Sequence, residues 1–251
     1  MIRLVAFDLD GTVLDGQGLA SRESLRAIRE MLARGIALST MSGRNIAKSL
    51  TPFGGEPGLT DGMHCGGYNG ALVVGPRANG RRSVIFEQRM PEGVLPAVLN
   101  YIREKDYNFI YYFCEPDPIL GVEERYISDR PSESTEGIIR QVGAEFSFDP
   151  GLLDRISGGA LRPPPKILIL PGQTRRDEVY AEVSDLFKGR LYVAKTDRDR
   201  VELMNPRINK WTALERIARS QGIDPAHTLA IGDGDNDLPM ILGAGVGLVM
   251  G

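Results

Sequence analysis

The sequence predicts an α/β protein: a parallel-sheet core with helices on both faces, interrupted by an inserted α+β domain. Three observations carry that reading. Apolar strands alternate with amphipathic helices over the first 82 residues, as βαβ units do. The alternation breaks down between residues 83 and 190. It resumes near Asp199 and runs to the end of the chain.

Residues 2–7 read as a buried strand, and it runs into Asp8-Leu9-Asp10-Gly11-Thr12. The polar stretch Asp15–Ala20 reads as a loop or small flap. Ser21 is a good N-cap, Leu25, Ile28 and Leu32 recur at helical spacing, and Gly35 suits the left-handed residue that closes a helix. Ile36–Met41 is the next strand and ends in Ser42-Gly43-Arg44, with a second helix beginning near Asn45. A Gly/Pro-rich turn over Phe53–Gly58 precedes Gly66-Gly67-Tyr68-Asn69-Gly70-Ala71, which leads into a strand at Leu72–Val74. Strand, helix, strand, helix, strand is the order of a parallel sheet joined by right-handed crossovers, a Rossmann-like core.

The next block reads differently. It offers a strand at Ser83–Arg89, a helix at Pro91–Lys105 with Pro in its first turn, an aromatic strand at Asn108–Glu115 and a strand at Glu123–Ser128. A helix at Ser132–Val142 follows. Arg162-Pro163-Pro164-Pro165 is a stiff, extended connector. Lys166–Leu170, Thr174–Phe187 and Leu191–Lys195 then read as strand, helix and strand. The core pattern returns with a strand at Val201–Met204, a helix at Asn209–Gln221, a strand at His227–Gly232 and a last strand at Gly245–Met250. Residues 1–82 and 191–251 are therefore assigned to the core and 83–190 to the inserted domain.

The chain has 251 residues, 42% of them hydrophobic and 25% charged, an ordinary balance for a soluble globular protein. A net charge of −3 offers no electrostatic footprint for nucleic acid. No apolar run approaches the roughly 20 residues that cross a bilayer, and no charged-then-apolar leader opens the chain. Cys65 and Cys114 lack metal-ligand or redox spacing and read as reduced thiols. These features predict a cytoplasmic protein with no nucleic-acid partner and no membrane partner. They leave the oligomeric state open.

Four short motifs carry the chemistry. Asp8 and Asp10 stand at a strand's carboxyl end beside a turn, where open α/β sheets place their sites. Taken alone, the pair is equally a solvated strand exit. Ser42-Gly43-Arg44 puts a hydroxyl, a glycine and a guanidinium at a strand-to-helix turn, the donors an anion needs, yet Ser and Gly are also common turn residues. Lys210 opens a helix, where a cation opposes the helix dipole. It is either a solvated surface lysine or a charge held to face an anion. Asp233-Gly234-Asp235-Asn236-Asp237 follows an apolar strand, and such oxygen-only clusters suit Mg²⁺. Together the motifs supply a nucleophile, a proton donor, cationic neutralisation and hydrogen-bond donors, the parts phosphoryl transfer requires.

With these motifs in this order, the chain resembles the haloacid dehalogenase (HAD) superfamily of phosphatases. Asp8-Leu9-Asp10-Gly11-Thr12, Ser42, Lys210 and Gly232-Asp233…Asn236-Asp237 match its signature motifs. The long insertion after Ser42, together with Asn69-Gly70-Ala71 and Asn209-Lys210, is similar to the Cof-like subgroup (IIB), whose inserted domain is an α+β cap of type 2. Ser42 stands where many relatives carry Thr, and those relatives usually extend by about another helix and strand past the point where this chain ends, at Gly251.

The resemblance implies a Mg²⁺-dependent phosphatase of small phosphorylated metabolites, such as a sugar phosphate or phosphoglycolate. Asp8 would be the nucleophile that carries an aspartyl-phosphate, and Asp10 the acid and base. Ser42 and Lys210 would bind the phosphoryl oxygens. Asp8, the Asp10 carbonyl and Asp233 would ligate Mg²⁺, with Thr12, Asn236 and Asp237 in support. Gly43, Arg44 and Asn69 are candidates for binding substrate, as are Tyr112, Arg125 and Lys195 in the cap. A phosphomutase of the phosphomannomutase type and a non-catalytic phospho-ligand-binding protein are the alternatives.

Overall fold

A computed structural model of the chain describes residues 1–53, 58–117, 121–142 and 145–251. The strands in chain order are β1 (Leu4–Phe7), β2 (Ala37–Met41), β3 (Met63–Gly67), β4 (Leu72–Val74), β5 (Val84–Glu87), β6 (Asn108–Asp117), β7 (Gly121–Ser128), β8 (Phe146–Phe148), β9 (Lys166–Leu170), β10 (Tyr192–Thr196), β11 (Arg200–Met204), β12 (Thr228–Gly232) and β13 (Val246–Val249). The α-helices are α1 (Arg22–Ala33), α2 (Ile46–Leu50), α3 (Leu95–Glu104), α4 (Glu133–Val142), α5 (Leu152–Ser157), α6 (Arg176–Leu186), α7 (Lys210–Ser220) and α8 (Leu238–Gly243). They form two compact units, one of Met1–Glu87, Pro116–Val122 and Ile208–Gly251, the other of Gln88–Glu115 and Glu123–Arg207.

The first unit is built on a seven-stranded sheet in the order β13-β12-β1-β2-β3-β4-β5. β13 through β3 run parallel, whereas β4 and β5 run antiparallel at one edge. Side chains alternate across a strand, so β1 feeds two cores at once. Leu4 and Ala6 pack with Leu214, Ile217 and Ala218 of α7 and Met240 of α8. Val5 and Phe7 pack with Ile28 of α1 and with Phe53 and Met63. Helices thus cover both faces, and β1, paired on both edges, is a central strand.

Local signals place the helices. Ser21 caps α1, its hydroxyl accepting from the Ser24 amide at 3.0 Å, and Asn45 caps α2 by accepting from the Lys48 amide at 2.7 Å. The expected Gly/Pro turn over Phe53–Gly58 lies largely outside the described residues.

The second unit carries a six-stranded sheet ordered β10-β11-β9-β6-β7-β8. β10 with β11, β11 with β9 and β9 with β6 pair antiparallel, and β7 with β8 pairs parallel. One face of this sheet, through Phe109, Tyr111, Ile127, Ile167, Ile169, Val201 and Leu203, packs on Val98 and Ile102 of α3, Ile156 of α5 and Val179 and Val183 of α6.

The structure departs from the sequence reading at several elements. β11, expected in the parallel core, pairs antiparallel with β9 and β10, so the second unit extends to Arg207 and not to 190. β5, expected to open the insertion, is the edge strand of the first sheet, which moves the other boundary from 82 to 87. β3, where the sequence reading placed no strand, is the neighbour of β2. Its glycines sit in close quarters, since a Cβ on Gly66 would lie 2.5 Å from the Met41 sulfur and one on Gly67 3.0 Å from the Arg44 carbonyl oxygen. α3 starts four residues after Pro91, because Val94 N–H bonds Pro91 O and closes a turn first. β8 and α5 are too short for their periodicity to stand out.

Candidate active site

The site lies at the carboxyl end of β1, between the ends of β2 and β12. Asp8 continues the alternation of Leu4 and Ala6 toward the α7 side of the sheet, and its amide donates to Ile231 O at 2.9 Å. The strand geometry then stops. The amides of Thr12, Val13 and Leu14 all donate to Leu9 O, which coils the chain. Gly11 takes φ 77°, and a Cβ there would lie 2.2 Å from Asp233 Oδ2. Only glycine combines that backbone with that approach. Asp8 and Asp10 consequently part company: Asp8 is buried at 7% exposure, whereas the Asp10 side chain is 61% exposed.

Lys210 is the first residue of α7 and is fully buried. Its Nζ donates to Asp8 Oδ1 at 2.6 Å and to Asp237 Oδ1 at 2.5 Å. Burying an ammonium is costly unless it is paired, and two carboxylates are its partners. They also offset the unfavourable placement of a cation at a helix N-terminus. Asn209 fixes where that helix begins, its side chain accepting from the Thr212 amide at 3.0 Å while its own amide bonds the Thr212 hydroxyl. The sequence singled out Lys210 but gave Asn209 no role of its own; its type at a helix start was the available signal.

Asp237 is fully engaged. Its second oxygen accepts from the amides of Asp233 and Gly234 at 3.1 and 3.0 Å. A Cβ on Gly232 would lie 2.4 Å from the Asp237 carboxyl carbon, so the glycine before Asp233 is what lets the loop fold back. Asp233 is exposed and accepts from the Thr12 hydroxyl at 3.0 Å. Single carboxylate oxygens of Asp8, Asp233 and Asp237 lie within 4.8 Å of one another. Three hard oxygen donors at that spacing fit a divalent cation such as Mg²⁺. Because both Asp237 oxygens already serve Lys210 and the loop amides, Asp8 and Asp233 are the carboxylates with capacity for an ion.

Electrostatics point the same way. Burial pushes the Asp8 carboxyl up to about 6, against the lowering effect of Lys210, with Asp237 adding a further upward push. One lysine does not balance three acids.

Ser42 directly follows β2 and is buried, with its amide donating to Gly66 O at 3.0 Å and its hydroxyl accepting from the Arg44 amide at 3.1 Å. Arg44 turns onto Asp10: its Nε donates to Asp10 Oδ2 at 2.8 Å and Nη2 bonds the other oxygen, a two-pronged pair. Nothing in the sequence spacing signalled this contact, since the residues are 34 positions apart. Asn69 bonds the Ser42 carbonyl through its amide at 2.9 Å and accepts from Asn236 Nδ2 at 3.0 Å. A Cβ on Gly43 would lie 3.2 Å from the Asn69 side-chain oxygen. Asp8, Asp10, Thr12, Ser42, Gly43, Arg44, Asn69, Lys210, Asp233, Asn236 and Asp237 thus fall in one connected set. In the second unit, Arg125 pairs with Glu123 and lies over Phe113, Lys195 pairs with Asp177 and lies over Tyr180, and Tyr112 is buried edge-on to Tyr126.

Comparison with known proteins adds to this geometry. A family model described as haloacid dehalogenase-like hydrolase matches residues 5–251. Among curated proteins, the phosphoglycolate phosphatase of Methanopyrus kandleri is 26% identical over 251 residues, covering 99% of this chain and 84% of its own length. The HMP-PP phosphatase of Cronobacter sakazakii is 23% identical over 254 residues, covering 100% of this chain and 85% of its own. Among solved structures, a Thermotoga maritima protein superposes with a TM-score of 0.82 at 24% identity, covering 98% of this chain and 85% of the other. A HAD subclass IIB sugar phosphatase superposes with a TM-score of 0.72 at 17% identity, covering 98% and 86%. Among the described residues, no helix is long and apolar enough to cross a membrane.

Proposed function

The chain belongs to the haloacid dehalogenase-like hydrolase family, and we propose that it is a Mg²⁺-dependent phosphatase of small phosphorylated metabolites. The observation that carries this reading is the fully buried Lys210 joined to Asp8 and Asp237, with Asp233 close enough to share an ion with Asp8. Curated relatives named for phosphoglycolate and HMP-PP support a small phosphorylated substrate.

In the proposed reaction an Asp8 carboxylate oxygen forms a bond to phosphorus as the phosphorus–ester oxygen bond breaks. The leaving oxygen takes a proton from Asp10, so Asp10 leaves the fork of Arg44 before it acts. Water then attacks the aspartyl-phosphate, Asp10 takes back a proton, and phosphate and free Asp8 result. Acid–base help of this kind supplies roughly 10²–10⁴-fold. Lys210 holds Asp8 in place and presents positive charge to the phosphoryl oxygens, and Ser42 adds a hydroxyl donor. Asp8, Asp233 and the Asp10 main-chain carbonyl would hold Mg²⁺, which would supply the charge neutralisation that lets an anionic carboxylate meet an anionic phosphate.

The test is a panel of phosphate monoesters with Mg²⁺, including phosphoglycolate, hexose phosphates, pyridoxal phosphate and flavin mononucleotide, read as released phosphate. Turnover that disappears on chelation is expected. Conversion of a sugar phosphate to a positional isomer without phosphate release would make the protein a mutase. Calorimetric binding with no turnover of any ester would make it a non-catalytic binder.

A further inference from the structure

We propose that Asn69 is a positioning residue that sets Ser42 and Asn236 relative to each other, and that it does not touch substrate. The inference rests on the phosphatase reading and deepens it. Tyr68, Asn69 and Gly70 take φ of 53°, 54° and 96°, three left-handed residues in succession. For glycine this is free and for asparagine it is tolerated, but for a tyrosine it is a strained backbone. Such strain persists only where the surroundings over-determine it, and it clusters at functional sites.

The surroundings here are the loops that carry the motifs. Tyr68 N–H donates to Arg44 O at 2.8 Å and Asn69 N–H to Ser42 O at 2.9 Å, so the left-handed run is stitched to the end of β2. The same backbone turns the Asn69 carboxamide oxygen onto Asn236 Nδ2 at 3.0 Å, in the acidic loop. On the other side, a Cβ on Gly70 would lie 2.8 Å from both Asn209 O and the Ala213 Cβ, so the run also abuts the start of the helix that bears Lys210. One residue therefore bonds two motif loops with its amide and its side chain, while its neighbour packs on the third. Asparagine is the residue type that combines left-handed tolerance with a side-chain acceptor.

Two substitutions separate the backbone from the side chain. Asn69→Gly keeps the left-handed conformation and removes the acceptor; Asn69→Ala removes both. The measurements are kcat and KM of the full chain with Mg²⁺ on two esters of different leaving group, p-nitrophenyl phosphate and phosphoglycolate, together with the melting temperature and the crystal structure of the glycine variant. The glycine variant is expected to lose roughly 10- to 100-fold in kcat on both esters alike, as loss of a supporting hydrogen bond does at comparable sites, with KM nearly unchanged. The alanine variant is expected to lose at least as much and to melt lower. Combining Asn69→Gly with Asn236→Ala is expected to be no slower than the slower single change, because both remove one hydrogen bond. A loss confined to KM, or one that differs between the esters, would make Asn69 a substrate ligand and overturn the proposal. If the unaltered chain hydrolyses no ester, the phosphatase reading fails by itself. The glycine variant's structure then decides alone: Ser42 and Asn236 displaced supports the strut, and both unmoved overturns it.

Discussion

Each unit buries a lysine against carboxylate, and the two lysines differ in what surrounds them. In the second unit, Lys166 Nζ donates to Glu202 Oε2 at 2.7 Å, both side chains nearly sealed from solvent, with the ammonium 4.8 Å from the Tyr112 ring centre. One cation meets one anion, and the ring's negative face adds to the match. In the first unit, Lys210 meets Asp8 and Asp237 together, with Asp233 alongside. There two buried carboxylates share one ammonium, and the Asp8 carboxyl is pushed up to about 6, chiefly by its burial and further by Asp237, against the lowering effect of Lys210. A buried pair whose charges cancel is a structural device whose loss leaves an orphan. A buried group whose charges do not cancel waits for something positive. The distinction lies in the surplus, since both lysines are buried.

The comparison can be broken most forcefully at Asp8. Asp8→Asn removes a buried negative charge and the proposed nucleophile together. Activity on an aryl phosphate is expected to fall by about 10⁴-fold or more. The metal-free protein is expected to melt at the same temperature or higher at pH 7.5, since an uncompensated buried carboxylate is gone. Retained turnover, or a large loss of stability, would mean that Asp8 is merely structural.

Next come the lysines. Lys166→Met strands Glu202 and is expected to cost about 3–5 kcal/mol of stability. Lys210→Met strands two acids and is expected to cost a similar amount, and it also abolishes turnover. Denaturant titration with assays of the folded fraction separates the two cases. If the folded Lys166→Met protein has lost turnover as completely as Lys210→Met, the contrast between structural pair and functional cluster does not hold.

The burial of Asp8 also sets a dependence on pH and metal. The Asp8 carboxyl is raised from an ordinary value of 3.8 to about 6. A raised folded-state value means that its stabilising effect is complete below pH 3.8 and is lost as pH climbs through 6. Above pH 6 the metal-free site carries an unbalanced anion, and there Mg²⁺ is expected to stabilise most. At a hundred times its dissociation constant a ligand contributes about 2.7 kcal/mol. Melting temperatures with and without Mg²⁺ at pH 5 and pH 7.5 check this. An equal Mg²⁺ shift at both pH values would remove Asp8 from the ion's partners.

The smallest expected effect is at Gly11. Gly11→Ala places a Cβ against the Asp233 carboxylate in a left-handed turn. The backbone alone costs roughly 1–2 kcal/mol. Because Asp233 must shift, the variant is expected to need more Mg²⁺ for half-maximal activity, which a metal titration reads directly.

Much of this site was legible in the chain. An apolar strand ending in Asp-x-Asp, a hydroxyl closing the next strand, a lysine at a helix start and an acidic loop after a strand each follow from local periodicity and cap chemistry. Those rules hold within about ten residues, and the four motifs obey them. The harder features join distant segments. β11 has a strand's composition, yet its choice of partner is decided by which edge of β9 is open. β3 escaped notice because it contains Gly66 and Gly67, residues with no strand signal, which lie close to Met41 and to the Arg44 carbonyl. The sequence marked Arg44 and Asn69 as substrate-binding candidates, but their contacts with Asp10 and Asn236 span 34 and 167 positions.

By itself, then, the order of residues determined which side chains are candidates for chemistry and which element each of them borders, because strand alternation, caps and turn glycines act over a few neighbours. Tertiary structure alone decided that Asp8 faces a lysine 202 positions away while Asp10, two residues on, faces an arginine from the turn after β2. The physical reason is the coil that begins at Leu9. It ends the strand's alternation between the two carboxylates, so their directions depend on what packs around the turn.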